Sequence, residues 1–284
     1  MDPLIAETLV TLGSEASSKS VISFSELIAL KFFGKSIARL KAESVVEADK
    51  VTSRWEEIEK PMWLQAEAVK MNRQYNNLGN VLQKTSKYIT AAEHAVSDDN
   101  DLFWGLLEHA KEITSDEMQD LIAKIIAGEY NSPNTYSMST LQVLKSLGKN
   151  ELREFEKLGS FMVDNSVFLV DFFSTEKSQS EVRQKLAINY TTFVELQNLG
   201  LIQSSSHSYL VHLKKDNIVE VQYFDHKIEC KSKLDQENYR VPNRHALTKA
   251  GREILQHLNP QFSQVFFDWL HNFCSSAAFE VVKK

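Results

Sequence analysis

The sequence predicts a mainly α-helical protein, in which a long helical hairpin and a helical bundle precede a smaller α+β module and a C-terminal helix. Three observations support this fold class. The 284 residues include only 9 glycines and 5 prolines, about half the usual frequency, which favours long helices joined by few turns. Apolar residues recur every 3.5 positions over 64–96, and shorter runs over 209–230 alternate between apolar and polar residues.

Two long helices are predicted in the N-terminal part. Residues 24–58 contain no proline and carry a narrow apolar stripe, and Pro61 both ends this helix and suits the start of the next. Along 61–96, which would form a helix about 54 Å long, ten residues step alternately by four and three positions. We expect an antiparallel hairpin with a coiled-coil seam, although the stripe equally fits the buried face of a bundle. The ten residues are Leu64, Ala68, Met71, Tyr75, Leu78, Leu82, Thr85, Ile89, Ala92 and Val96.

Shorter helices with clear start and stop signals follow. The acidic turn Ser97–Asp101 predicts a helix cap, because it lacks the glycine and the terminal glutamate of a calcium loop. A capping box at 114–117 opens a helix over 116–127, and Gly128 is expected to end it. Glu129 would then lie just past a helix end, where the dipole disfavours a carboxylate. It is expected to accept hydrogen bonds from the next turn or to pair with a base, and the alternative is a partner or ligand site.

The pattern changes after Phe173, where short helices and then alternating strands replace the longer helices. A helix that begins near Pro260 and is rich in aromatic residues follows the last predicted strand, 241–247, and a short helix capped by Thr248. The predicted domains are therefore 1–173 (helical, with the long hairpin), 174–258 (the α+β module) and 259–284 (the C-terminal helix).

The charge is unevenly distributed along the chain. Residues 1–135 carry 14 Lys and Arg against 21 Asp and Glu, whereas residues 177–252 carry 12 against 8. This asymmetry fits two parts with different partners, and it equally fits two solvated surfaces. Two cysteines suit a reducing compartment, the N-terminus does not have the form of a secretory signal, and no apolar run approaches the ~20 residues of a membrane span. The sequence therefore predicts a soluble, cytoplasmic protein.

A series of short motifs runs through the middle of the chain: Tyr75–Leu78, Phe103-Trp104, Met118–Leu121, Ile126–Glu129, Pro133, Ser137, Thr140-Leu141, Leu144 and Phe155. Their order resembles a family of bacterial proteins of unknown function, over roughly residues 35–170 and weakly to 258. The chain departs from that pattern at Ile122, where relatives carry a tryptophan. The family members look like accessory genes of bacteria, often near mobile elements, so the resemblance implies a role against phage. It attaches no catalytic residue to the motifs.

Residues 178–258 show a second resemblance. Two short helices, the run Leu196–Ile202, a β-ribbon and the run Ala246–Arg252 follow one another as in a winged helix-turn-helix. The second helix carries no base toward a groove, and basic residues concentrate in and after the ribbon. They predict phosphate contacts, or lysines that protect an exposed sheet edge from aggregation, and the module itself could contact protein instead. The candidate nucleic-acid contacts are Lys214, Lys215, Lys227, Lys231, Lys233, Arg240 and Arg244.

The C-terminal helix carries a one-sided aromatic stripe that is too large to leave in water on a monomer. It is expected to pack on its own chain, to meet a second subunit, or to bind another protein. The candidate interface residues are Phe262, Val265, Phe266, Trp269, Leu270 and Phe273.

Recognisable catalytic and cofactor motifs are missing from the sequence. It has no P-loop, dinucleotide fingerprint, zinc-protease motif or nucleophile elbow. His226 and Cys230 alone do not make a zinc site. We therefore expect no metal, no cofactor and no catalytic residue. The sequence favours a non-enzymatic bacterial interaction protein, a sensor or subunit of a phage-defence system. The alternative is a nucleic-acid-binding regulator that acts through the winged-helix-like module.

Overall fold

The computed structural model describes residues 62–90, 100–164, 167–169, 184–186, 189–204, 207–212, 218–233, 238–275 and 279–283. In this part of the chain the protein is mainly helical, as predicted, with eight helices and two small antiparallel sheets. The elements are α1 (Met62–Thr85), α2 (Asp101–Ala110), α3 (Asp116–Asn131), α4 (Met138–Ser146), α5 (Lys149–Gly159), β1 (Val167–Leu169), α6 (Tyr190–Asn198), β2 (His207–His212), β3 (Ile218–Tyr223), β4 (His226–Ser232), β5 (Asn238–Ala246), α7 (Lys249–Leu255), α8 (Gln264–Cys274) and β6 (Phe279–Lys283).

The internal contacts divide the chain into two compact units. The described part of the first unit contains α1 and residues 106–131, and the second unit contains residues 100–105 and the chain from Ser132 onward. The second unit thus includes α4 and α5 together with the later strands and helices. The predicted domain boundaries at 173 and 258 stay predictions.

The first unit is held together by the packing of α1 on α3. Leu78 and Leu82 are buried, as the stripe predicts. Polar contacts border the apolar core: Asn77 Nδ2 donates to the carbonyl oxygen of Lys111 at 2.8 Å, and an Arg73 guanidinium nitrogen lies 3.1 Å from a Glu112 carboxylate oxygen. The core residues include Leu78, Val81, Leu82, Leu106, Leu107, Met118, Leu121, Ile122, Ile125 and Ile126.

The predicted helix over 61–96 is too long. Helix α1 ends at Thr85, which makes it about 36 Å long, and a turn follows at 86–88. The Asn131 side chain holds the next segment at the end of α3, since it donates to the carbonyl oxygen of Tyr88 and accepts from the amide of Thr90, both at 3.0 Å. The predicted helix 24–58 and residues 91–99 lie outside the described residues, so the hairpin stays a prediction.

Helix α3 does not end at Gly128 as predicted. It continues to Asn131 and buries both Glu129 and Tyr130. The free energy gained by burying Tyr130, together with the contacts of Asn131, explains why the helix continues beyond Gly128. Glu129 is 2% exposed and has an interaction partner. Its position inside the helix corrects the expected position past a helix end.

The first sheet lies in the second unit and has the strand order β1-β5-β2. Its antiparallel registers pair Val167 with Ala246 and His207 with Arg244. Helix α6 precedes β2, and the side chain of Asn189 caps this helix by accepting from the Thr191 amide at 2.9 Å. The core around it includes Phe155, Leu158, Phe168, Phe193, Leu196, Leu201, Ile202, Leu247 and Ile254.

A close approach joins α7 to the turn after α6. Thr248 caps α7 as predicted, because its hydroxyl oxygen accepts from the Gly251 amide at 2.9 Å. The same hydroxyl donates to the carbonyl oxygen of Gly200, a residue with φ of +81° that only glycine adopts easily. A Cβ on Gly251 would lie 2.0 Å from the carbonyl oxygen of Leu201. Glycine is therefore required there by space.

The second sheet has the order β3-β4-β6, and helix α8 packs against it. Val221, Tyr223, Ile228 and Cys230 point inward and are buried. Helix α8 starts later than predicted, at Gln264, because Ser263 rather than Pro260 begins it: the Ser263 hydroxyl accepts from the Phe266 amide at 3.3 Å. Among the described residues, no helix combines the length and the apolar character needed to cross a membrane.

Candidate functional surfaces

A buried carboxylate joins α4 to α7. One oxygen of Glu253, which is 9% exposed, accepts from the Ser137 amide at 2.9 Å, from the Ser137 hydroxyl at 3.0 Å and from the Thr140 hydroxyl. Its other oxygen lies 3.8 Å from Lys249 Nζ. Ser137 begins α4, but its own side chain forms no cap hydrogen bond, so the carboxylate from α7 supplies the acceptor that a helix start requires.

The cluster of Glu253, Ser137 and Thr140 acts as a helix cap for α4. Both hydroxyls donate hydrogen bonds to one carboxylate oxygen, which also accepts from the Ser137 amide, so three hydrogen bonds hold the Glu253 side chain at the start of α4. Tyr136 and His257 add a second link between the same segments, with 2.7 Å between the hydroxyl oxygen and Nε2. The sequence motifs include Ser137 and Thr140, but nothing in the sequence indicates that Glu253 binds them.

The basic candidates fall on two different sheets. Lys227 and Lys231 are exposed on the outer face of β4, and Lys233 is exposed directly after it. Arg240 and Arg244 lie in β5 of the first sheet. Lys214 and Lys215 lie outside the described residues. The described candidate nucleic-acid contacts therefore do not lie on a single pair of strands.

The outer face of the second sheet carries mixed charge. Lys227 is opposite Gln222 in the β3–β4 register, and Lys231 is opposite Glu280 in the β4–β6 register. Glu220 and Glu229 face each other between these lysines. A phosphate-binding surface needs a local excess of positive charge, which this alternation of lysines and glutamates does not supply.

The exposed face of α6 is polar and aromatic. Tyr190 is 54% exposed, and Thr191, Glu195 and Asn198 are exposed as well, whereas Phe193 faces the core. The helix contains neither lysine nor arginine. It therefore presents a tyrosine and a carboxylate to solvent, without a base that could contact phosphate.

The aromatic stripe of α8 is divided between the core and the surface. Phe266 and Leu270 are fully buried within their own unit, and the Phe266 ring lies 5.4 Å from that of Phe161 and 5.1 Å from that of Tyr223 between ring centroids. These two candidate interface residues are therefore core residues of their own chain, which is one of the alternatives expected for the stripe.

The remaining stripe residues reach the surface. Phe262 is 39% exposed and Val265 is 41% exposed. Trp269 and Phe273 are half-buried, and their rings stack with 5.2 Å between centroids. A half-exposed ridge thus remains on α8 after the rest of the stripe has packed inward. We define this ridge as Val265, Trp269 and Phe273.

The described residues contain no group of three or more histidine, cysteine, aspartate or glutamate side chains that could hold a metal ion. The His226 ring packs between those of Phe262 and Phe267, with 5.0 Å between centroids in each case. It therefore sits in an aromatic environment, whereas Cys230 contacts a different side chain, Cys274.

Neither the comparison with curated proteins nor the comparison with solved structures returns a match. Residues 65–271 match a family described as a protein of unknown function, DUF2806. That range covers most of the chain, from α1 to α8. The chain therefore belongs to the DUF2806 family of proteins of unknown function.

Proposed function

We propose that this protein is a non-enzymatic interaction protein, a sensor or subunit of a bacterial phage-defence system, and that α6 contacts its protein partner. The observation that carries the proposal is the exposed face of α6, which offers Tyr190 and Glu195 to solvent and no lysine or arginine. Tyrosine is enriched in the cores of protein interfaces, whereas a protein surface that binds nucleic acid needs lysine or arginine side chains. The defence setting comes from the resemblance of the motif order to a bacterial protein family, whose members look like accessory genes.

The arrangement of elements around α6 supports a winged-helix-like module. A helix that leads into an antiparallel strand pair, with a third short strand on the other side of the returning strand, is the layout of such modules. Here α6 leads into β2, β5 returns beside it, and β1 completes the order β1-β5-β2. The β3–β4 hairpin stands between β2 and β5 in the chain, at the position of a wing.

The test is a binding measurement between the full chain and the products of neighbouring genes, with α6 altered. Tyr190→Ser removes an exposed ring, and we expect at least about a tenfold weaker affinity, since an interface tyrosine contributes about 1.4 kcal/mol or more. Lys231→Gln is the matched control, because it alters an exposed side chain that lies on the second sheet and not on α6. The same variants are compared by plating efficiency of phage on a host that carries the gene and its neighbours. A Tyr190→Ser protein with unchanged affinity and unchanged protection would contradict the proposal.

A nucleic-acid-binding regulator is the second candidate, and it would use the exposed lysines Lys227, Lys231 and Lys233, although glutamates lie among them on the same sheet. Anisotropy titrations of the full chain on duplex and single-stranded DNA at two salt concentrations distinguish the candidates. If the lysines contact phosphates, binding weakens steeply with salt, and each lysine removed lowers the slope by about one unit. If the module contacts protein, these titrations show no binding even at low salt.

A further inference from the structure

The fold brings together the only two cysteines of the chain. Cys230 lies on the inner face of β4, and Cys274 is the last residue of α8. Both are free thiols, 3% and 8% exposed. Helix α8 packs on β4, and the two side chains meet through a hydrogen bond between their sulfur atoms. A disulfide bond places its two sulfur atoms about 2.05 Å apart, so only cysteines whose side chains already meet can form one without a large movement.

The two thiols are not equivalent. The hydrogen bond with Cys274 lowers the pKa of the Cys230 thiol, although burial acts in the opposite direction. While it is protonated, the Cys230 thiol donates to the carbonyl oxygen of Ile228 at 4.0 Å. Cys274 lies at the C-terminal end of an 11-residue helix, where the helix dipole disfavours a negative charge. We therefore expect Cys230 to be the sulfur that reacts first as a thiolate.

We propose that Cys230 and Cys274 form an oxidation site for hydrogen peroxide, at which peroxide converts the two thiols into an intramolecular disulfide. In the first step the Cys230 thiolate attacks one peroxide oxygen, the O–O bond breaks, and Cys230 sulfenic acid and hydroxide result. In the second step the Cys274 sulfur attacks the Cys230 sulfur, the S–O bond breaks, and the Cys274 proton leaves with the oxygen as water. Two thiols and one peroxide thus give one disulfide and two waters, since the hydroxide takes up the proton that Cys230 released.

Burial selects the oxidant. Hydrogen peroxide is a small neutral molecule that reaches a sulfur through a narrow opening, whereas glutathione disulfide must bring a bulky sulfur into line with the attacking thiolate. With exposed fractions of 3% and 8%, the pair is closed to the larger reagent. We therefore expect oxidation by peroxide and much slower oxidation by glutathione disulfide at equal concentration.

The disulfide would link a strand to the end of a helix. It would anchor the C-terminal end of α8 to β4 and fix the ridge of Val265, Trp269 and Phe273 relative to the sheet. It would also close a loop between residues 230 and 274, which raises the resistance of this unit to unfolding. This site is independent of the proposed contact through α6, so the two can fail separately.

The experiment treats the full chain with hydrogen peroxide, unfolds it, and counts its thiols. We expect the count to fall from two to none, the mass to decrease by two hydrogen atoms, and a peptide that joins Cys230 to Cys274 to appear in a non-reducing digest. Dithiothreitol should restore both thiols, and the melting temperature should be higher in the oxidised form by several degrees. Equal oxidation by glutathione disulfide would refute the selection by size.

Single variants assign the two roles. In Cys274→Ser, peroxide should leave a Cys230 sulfenic acid that a dimedone probe labels. In Cys230→Ser, the remaining Cys274 thiol should react with peroxide at least about tenfold more slowly. Cys230→Ala and Cys274→Ala are the second variants if serine disturbs the buried positions. A disulfide between chains in place of the internal one, or equal reaction rates of the two single variants, would overturn the proposal.

Discussion

Tyr223 connects three elements through one hydroxyl group, and its replacement by phenylalanine tests the packing of the second unit. The side chain extends from β3 and is fully buried. Its hydroxyl donates to the carbonyl oxygen of Ser160, directly after α5, at 2.7 Å, and it accepts from the amide of Ser263, directly before α8, at 3.0 Å. Tyr223→Phe removes this oxygen and leaves the ring contacts with Phe266 and Phe267 in place.

The expected loss follows from the two backbone groups that lose their partner. A buried donor or acceptor that is left unsatisfied costs about 1–3 kcal/mol. Because no ring atoms are removed, the cavity left behind is small, and the cost is almost entirely that of the hydrogen bonds. We expect Tyr223→Phe to lower the free energy of unfolding by about 2–4 kcal/mol.

Tyr223 also makes stability dependent on pH. Burial raises the pKa of its hydroxyl to about 12 from the ordinary value of 10.0, although the hydrogen bond from the Ser263 amide acts in the opposite direction. The unfolded chain therefore loses this proton at a lower pH than the folded chain. The neutral hydroxyl therefore makes its full contribution to the free energy of unfolding below pH 10, and this contribution is lost as the pH rises toward 12. Tyr223→Phe should remove this part of the decline.

The assay is urea unfolding of the full chain at pH 8 and pH 11, monitored by circular dichroism. Tyr190→Phe is the matched control, because it removes the same oxygen from a side chain that is 54% exposed, and it should change stability by less than about 0.5 kcal/mol. The reasoning is refuted if Tyr223→Phe is as stable as the wild type at pH 8. It is also refuted if both variants lose the same amount.

Three further predictions concern other contacts. Thr140→Val removes one of the hydroxyls that bind the buried Glu253 carboxylate, and thermal unfolding should show a loss of about 1–3 kcal/mol; no loss would mean that the carboxylate does not need this donor. Gly251→Ala places a Cβ 2.0 Å from a backbone oxygen and should cost about 1–3 kcal/mol by urea unfolding, whereas Gly79→Ala, whose Cβ meets no atom within 4 Å, should be neutral or slightly stabilising. Leu78→Ala empties a fully buried site in α1 and should cost about 2–4 kcal/mol; an unchanged melting temperature would show that the apolar stripe faces water.

Short-range signals allowed much of the local structure to be predicted. The alternation over 209–230 corresponds to β2, β3 and β4, because a strand buries every second residue wherever one face is covered. Thr248 was identifiable as a cap because a hydroxyl next to a helix start binds backbone amides within its own turn. Such signals depend on neighbours a few residues away, and these are present in the sequence itself.

Helix ends were predicted less well, because distant residues decide them. The apolar stripe continues beyond Thr85, but the contacts of the Asn131 side chain hold residues 88–90 in a different conformation. Glycine is common just after a helix end, yet α3 continues beyond Gly128 and buries Tyr130. In both cases contacts at the end of α3 outweigh a local preference of about 1 kcal/mol or less.

By itself, the sequence determined that the protein is mainly helical, that β2, β3, β4 and β5 occur where they do, and that familiar catalytic motifs are missing from it. Strands β1 and β6 were not predicted, because they lie in segments that were assigned to the helical domain and to the C-terminal helix. The tertiary structure alone decided which side chains meet. Glu253 reaches Ser137 across 116 positions, and Cys230 reaches Cys274 across the packing of α8 on β4. Periodicity identifies the buried face of an element but not the partner that covers it. That choice depends on how the elements pack, which no local pattern records.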